Sequence, residues 1–333
     1  MKAMLESDND SLRKREPTCV HEPLVDAYGR HINYLRISLT QNCNHACFFC
    51  HSEGQSLEGP EMSPEELERL VTVGASRGVT RVKLTGGEPL LRSDILDIIR
   101  RLSPLVEDLS LTTNGTLLED LAFDLKDAGL DRVNVSLHSL RMETYQRITG
   151  FNSLSKVKRG ILKAIEAGLS PVKINMTIIK SINDDEIQSM MRFASHVGAI
   201  LQLIELQDIP TKPEQDLDDQ RVKINDLEEQ FKKVATKIEQ RTLHGRKLYT
   251  VPVEEGSVQV EIVKPMGNSS FCMSCTRLRV TSDGKLKPCL YREDNLVHVR
   301  QFLSDCRYDN QLLEAYVKAA TLRQPFWQEE SSK

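Results

Sequence analysis

Six short β-rich runs, five of them followed by an amphipathic helical stretch, recur at roughly thirty-residue spacing and constrain this 333-residue chain more than any other feature. "YLRISLT" (34–40) precedes "SPEELERLVTVGASRG" (63–78), where Ser63 suits a helix cap and Pro64 the first helical position. "TRVKLT" (80–85) precedes "SDILDIIRRLS" (93–103), and "DLSLTTN" (108–114) precedes "LLEDLAFDLKDAG" (117–129). "DRVNVSLH" (131–138) leads into a helical region ending near Gly168, and "PVKINMTII" (171–179) into "NDDEIQSMMRFASHVG" (183–198). "AILQLIEL" (199–206) is the sixth strand. Such alternation predicts parallel strands with right-handed crossovers. Either an open doubly wound sheet or a barrel satisfies it; six units are too few for a complete eight-fold barrel, so the barrel would be partial.

The pattern breaks after residue 207. "QDIPTKPEQDLDDQR" (207–221) reads as a polar, acidic surface connection, and "INDLEEQFKKVATKIEQ" (224–240) as a further amphipathic helix. Short strands and turns follow, and two helical segments finish the chain. The expected division is a flexible leader (1–23), a βα region (24–207) and a C-terminal region (208–333).

With 39% hydrophobic and 28% charged residues, the composition is that of an ordinary soluble globular protein. A net charge of −4 gives no global reason to expect nucleic acid, and an anionic ligand would need a local cationic patch. No apolar stretch approaches the ~20 residues of a membrane-spanning helix. The polar N-terminus lacks the apolar core of a secretory signal, so the expected location is the cytoplasm.

Of eight cysteines, six fall into two triads: Cys43, Cys47, Cys50 in "QNCNHACFFCHSEG", and Cys272, Cys275, Cys289 in "FCMSCTRLRVTSDGKLKPCL". Clustered cysteines in a cytosolic chain read as metal ligands rather than disulfides. Cys19 and Cys306 stand apart and suggest no role. The first triad follows strand one, "TGGEP" (85–89) follows strand two, and "TTNG" (112–115) and "SLHS" (136–139) end strands three and four. Lys173 lies in strand five and Gln207 follows strand six. In parallel βα folds the C-terminal strand ends form the binding face, so these elements meet at one site. Taken singly, each has a plainer reading. Cysteines at i, i+4, i+7 suit a buried helix stripe, although this segment is rich in turn formers. Gly-Gly and Asn-Gly are most often tight turns.

A closed structural metal site uses four protein ligands, whereas a catalytic one keeps a position open. Three cysteines can hold three irons of a 4Fe–4S cube and leave the fourth for a ligand. The spacing C-x3-C-x2-C after the first strand, with Phe49 before the last cysteine and "GGEP" after the second strand, resembles the radical S-adenosylmethionine (SAM) enzymes. That resemblance implies SAM on the open iron, with Gly87, Ser136 and the Phe49 backbone around it, and Gln207 standing where many members have methionine.

The second triad, taken bare, could be part of a zinc site. Arg277 and Arg279 follow it at i, i+2 and point to one face of a strand, which suits a phosphate-bearing ligand or simply a solvated face. Both triads together, with "DAYGRHINYLRISLT", "VKLTGGEPLLR", "LTTNGTLL" and "VNVSLHS", resemble the GTP 3′,8-cyclases, the first enzymes of molybdenum-cofactor biosynthesis. "HSEG" and "TLRQPFW" look most like archaeal-type members.

The resemblance implies an incomplete (βα)6 TIM-like barrel, closed by a C-terminal α+β region that carries a second 4Fe–4S cluster. GTP would lie between the clusters, with guanine at the second, against Arg36, Lys83, Thr112, Lys173, Arg277, Leu278 and Arg279. Five of these residues are cationic, against the roughly four negative charges of a triphosphate. A 5′-deoxyadenosyl radical would take hydrogen from C3′ of GTP, C3′ would join C8, and an electron and a proton would complete 3′,8-cyclo-7,8-dihydro-GTP. An electron donor is implied, as is a following cyclic pyranopterin monophosphate synthase, and members are often homodimers. Bacterial members commonly end in Gly-Gly, whereas this chain ends "WQEESSK". The competing readings are another radical SAM enzyme with an auxiliary cluster, such as a peptide-modifying maturase, and a non-enzymatic zinc-binding protein.

Overall fold

The computed structural model describes residues 22–55, 59–207, 217–241 and 245–328, so nearly all of the expected leader, Cys19 and most of the acidic connection lie outside the described residues. Strands β1 (Tyr34–Ser38), β2 (Arg81–Thr85), β3 (Asp108–Thr113), β4 (Arg132–Ser136), β5 (Lys173–Ile178) and β6 (Ile200–Glu205) alternate with helices α1 (Pro64–Ala75), α2 (Ile95–Leu102), α3 (Leu118–Asp127), α4 (Met142–Thr149), α5 (Leu154–Glu166) and α6 (Ile187–Val197). At α1 the Ser63 hydroxyl accepts from the Glu66 N–H while the Glu66 carboxylate accepts from the Ser63 N–H, and Pro64 opens the helix. The helical region before Gly168 is split into α4 and α5 by Gly150, whose left-handed φ of 79° ends α4.

The C-terminal region contributes α7 (Ile224–Val234), β7 (Lys237–Gln240), β8 (Lys247–Val253), β9 (Gly256–Val263), α8 (Ser269–Met273), β10 (Arg277–Val280), β11 (Lys285–Lys287), β12 (Val297–His298) and α9 (Asp309–Thr321). The helix expected across 224–240 therefore ends at Val234. Residues 237–240 instead pair antiparallel with β8, because strand pairing overrides a locally helical pattern.

The twelve strands of the described residues form one sheet in the order β12-β11-β10-β1-β2-β3-β4-β5-β6-β9-β8-β7. β10 pairs parallel with β1 and β9 parallel with β6, so the C-terminal region extends each side of the six-stranded core by three strands, the first of them parallel. Glu261 of β9 and Arg279 of β10, the strands flanking the core on its two sides, line the same cavity, so the sheet curves into a partial barrel. Along each strand apolar residues such as Leu35, Ile37, Val82, Leu84, Val133, Val135, Leu278 and Val280 are buried in the core. The alternate positions carry Arg36, Lys83, Asn134, Lys173, Gln202, Glu261 and Arg279, which face the lumen. Among the described residues no helix is long and apolar enough to cross a membrane.

Candidate active site

The first cysteine loop is built against the turn that follows β2. The Gly87 N–H donates to the Thr40 carbonyl and the Glu88 N–H to the Asn42 carbonyl, each at 2.8 Å. A Cβ at Gly86 would lie 2.4 Å from the Thr40 oxygen, and one at Gly87 2.2 Å from the Asn42 oxygen, so only glycines permit this approach. Glu88, fully buried, accepts from the Thr113 hydroxyl and the Asn114 N–H at 2.7 Å. Burial pushes its carboxyl up to about 7 despite those bonds. The Asn114 amide donates in turn to Asn44 at 2.6 Å. Thus "GGEP", "TTNG" and the triad are one hydrogen-bonded unit.

Cys43, Cys47 and Cys50 are free thiols. Burial, and then the closeness of Cys50 and Cys43, push the Cys47 thiol up to about 12. Three mutually repelling thiolates need a polycation, and three thiols on one loop are the donor set of a 4Fe–4S cube with one open iron. Among the described residues no three His, Cys, Asp or Glu side chains are grouped to hold a single metal ion, whereas cube ligands each bind a different iron.

The second triad is gripped from behind. Arg30 donates to the Cys272 carbonyl at 2.7 Å, and Arg323 donates to the carbonyls of Arg277, at 3.0 Å, and Cys275. Both guanidiniums also bind the buried Asp26 carboxylate. Burial pushes the Cys275 thiol up, but Arg323 and Arg277 outweigh it and hold the thiol below its ordinary value. Three thiols beside this excess of positive charge fit a second, net-negative iron–sulfur group.

A cavity of about 520 Å³ separates the triads. Cys272, Cys275 and Cys289 form part of its wall, and Phe49 and His51, the neighbours of Cys50, form another part. Arg36, Lys83, Thr112, Lys173, Gln207, Arg277 and Arg279 also line it. Leu278 does not: its side chain is 0% exposed in the core, which leaves only its backbone for a ligand. Gly87, Ser136 and the first three cysteines stand outside the lining, at the C-terminal ends of their strands. Lys173 and Arg277, by contrast, open β5 and β10 and sit deep in the lumen.

Electrostatics inside the cavity differ from a bare sum of cations. Glu53 accepts from Arg36 and Arg279, and Glu261 pairs with Lys173 at 2.7 Å and Arg246 at 3.3 Å. Lys83 donates to Asn134 at 2.6 Å, and burial holds its ammonium well below the ordinary lysine value. Arg277 lies over the Tyr34 ring at 5.4 Å, its Nε has no hydrogen-bond partner among the described residues, and burial pushes it down to about 10. Among the described residues, Lys83 and Arg277 are therefore the cations of the expected five that no carboxylate holds. Gln207 turns its amide oxygen to the Tyr291 hydroxyl at 3.0 Å. Sequence reasoning missed Glu53, Asn134, Gln202, Arg246, Glu261 and Tyr291, although Asn134, Gln202 and Glu261 occupy the alternate polar positions of their strands.

Comparison with known families matches residues 37–194 to the Radical SAM superfamily and 199–329 to Molybdenum Cofactor Synthesis C. A probable GTP 3′,8-cyclase of Pyrococcus horikoshii is 51% identical over 312 residues, covering 93% of this chain and 100% of that protein. One from Thermococcus kodakarensis is 48% identical over 307 residues, covering 91% and 99%. Among solved structures, Streptococcus suis SuiB aligns with a TM-score of 0.60 at 16% identity over 87% of this chain and 67% of its own. The structure of anSMEcpe with bound AdoMet aligns at 0.57 and 18% identity, covering 85% and 83%. These two structures establish the fold. With its paired cysteine triads on a partial barrel and these relatives, the chain belongs to the GTP 3′,8-cyclase family of radical SAM enzymes.

Proposed function

We propose that this protein converts GTP to 3′,8-cyclo-7,8-dihydro-GTP, the first step towards molybdenum cofactor. The observation that carries this reading is a cation-walled cavity held between two open-ended cysteine triads. Bound at those triads, two 4Fe–4S cubes would supply a SAM-derived 5′-deoxyadenosyl radical on one side and an open iron for the guanine on the other. Cys43, Cys47 and Cys50 hold the first, with the Phe49 backbone, Gly87, Ser136 and Gln207 placing SAM. Cys272, Cys275 and Cys289 hold the second. Arg36, Lys83, Thr112, Lys173, Arg277 and Arg279, with the Leu278 backbone, fix the nucleotide so that C3′ faces the radical source and C8 lies within bonding reach of C3′. Buried guanidiniums suit this task because their forks bind phosphate bidentately and stay charged out of water.

The labour is shared along the chain: residues 24–207 generate the radical and supply Arg36, Lys83, Thr112 and Lys173 to the nucleotide, and 208–333 carry the second triad with Arg277 and Arg279. Completing the product consumes one electron and one proton, so a one-electron donor is a partner. The test is anaerobic. Protein reconstituted with iron and sulfide receives SAM, a strong reductant, and GTP or none. Deoxyadenosine that rises with GTP, together with a cyclised nucleotide, supports the assignment. Deoxyadenosine beside unchanged GTP points to another substrate, and none at all from iron-loaded protein refutes the radical SAM reading.

A further inference from the structure

We propose that Glu53 is the resident anion of the phosphate subsite, occupying the hydrogen-bonding edges of Arg36 and Arg279 that a substrate triphosphate takes, so that binding exchanges one anion for the other. This rests on the reading of the cavity as a nucleotide site. Arg36 and Arg279 are direct neighbours across the β1–β10 ladder. Like charges so placed repel, and something must hold them together. Glu53 does so: its carboxylate accepts from Arg36 Nε at 3.0 Å and Arg36 Nη2 at 2.6 Å, and from Arg279 Nη1 at 2.7 Å. The Thr85 hydroxyl adds a bond at 2.8 Å. The whole Nε–Nη2 fork of Arg36 is thus engaged, and that fork is what a phosphate would need. A phosphate can take it only by displacing the carboxylate.

The backbone is poised for such an exchange. Ser52, Glu53 and Gly54 all have left-handed φ, at 51°, 56° and 62°, and two of them are not glycine. Strain of this kind persists only where surroundings over-determine it. Here Glu53 is hooked onto β1, β2 and β10, while the Gly54 carbonyl accepts from Lys287. Releasing the Glu53 hook frees a turn that begins two residues after Cys50. Phosphate arrival is thereby linked to the loop of the first triad.

The test uses the full-length, cluster-loaded protein under anaerobic calorimetry with inorganic tripolyphosphate, GTP and guanosine. Glu53→Gln should tighten tripolyphosphate and GTP by roughly tenfold, because neither arginine is pre-neutralised, and leave guanosine unchanged. Thr85→Val loosens Glu53 without changing charge and should tighten tripolyphosphate about two- to threefold. It also serves should Glu53→Gln fail to hold iron. Unchanged or weaker tripolyphosphate binding in these variants, or none in any of the proteins, overturns the proposal. Tightened tripolyphosphate with no binding of GTP or guanosine would leave the exchange standing and refute the nucleotide reading.

Discussion

Asp26 and Arg323, 297 residues apart in the chain, form a buried ion pair at 2.5 Å. Arg30 shares the same carboxylate at 2.8 Å, and the two arginines grip the carbonyls of Cys272, Cys275 and Arg277. Asp26→Ala would strand two buried guanidiniums, a loss of about 3–5 kcal/mol. Because the cluster backs the second triad alone, iron should fall from about eight to about four per chain while SAM cleavage without GTP persists. Iron analysis beside a deoxyadenosine assay checks both. Loss of all iron would instead mean that the pair supports the whole fold.

Gly87 faces the Asn42 carbonyl so closely that an added methyl group would sit 2.2 Å from its oxygen. The three nearest atoms, from Asn42 and Gln41, are all backbone, so no side chain can swing away. Gly87→Ala should push the first cysteine loop off β2, abolishing SAM binding and lowering the melting temperature by several degrees. Calorimetric SAM titration and thermal unfolding read the two effects separately. Retained SAM affinity would show that the loop yields without disturbing the site.

Most of the barrel was legible as strand–helix alternation, which does not decide between open sheet and barrel; the pattern within the strands bears on that choice. Parallel strands buried on both faces read as continuous apolar runs. "YLRIS", "RVKLT", "RVNVS" and "KINMTI" alternate instead, because one face lines a polar lumen. The pairings of Glu53 and Glu261 were not legible: their partners lie 17 to 226 residues away, which no local spacing reports. β7 was hidden for a related reason. Its residues continue the amphipathic pattern of α7, and only the ladder with β8 makes them a strand.

Arg277 and Arg279 look equivalent in the sequence but differ in their partners. Arg279 is bound to Glu53, whereas Arg277 offers over Tyr34 an Nε with no hydrogen-bond partner among the described residues. Arg277→Ala should therefore weaken GTP binding on the order of a hundredfold, with both clusters intact. Arg279→Ala should cost less, because the lost cation was already partly neutralised. Equal losses in the two variants would contradict this reading of the charges. Loss of iron in Arg277→Ala would make that arginine structural.

Burial pushes the Lys173 ammonium down to about 8, even though Glu261 opposes the shift, since Arg246 competes for that carboxylate. The unfolded chain, with an ordinary lysine at 10.5, binds more protons between about pH 8 and 10.5, so this group's contribution to stability rises with pH across that window. Glu261, held at about 2 against its neighbouring cations, contributes stability above 4.5 that is lost as pH falls towards 2. For the nucleotide the consequence runs the other way. Lys173 loses its charge above about pH 8, so GTP affinity should fall there. Glu261→Gln removes the partner that keeps the ammonium charged and should move this fall to lower pH. Calorimetric titrations from about pH 6 to about pH 9 on both proteins test it. Superimposable profiles would mean that Lys173 does not contact the phosphates.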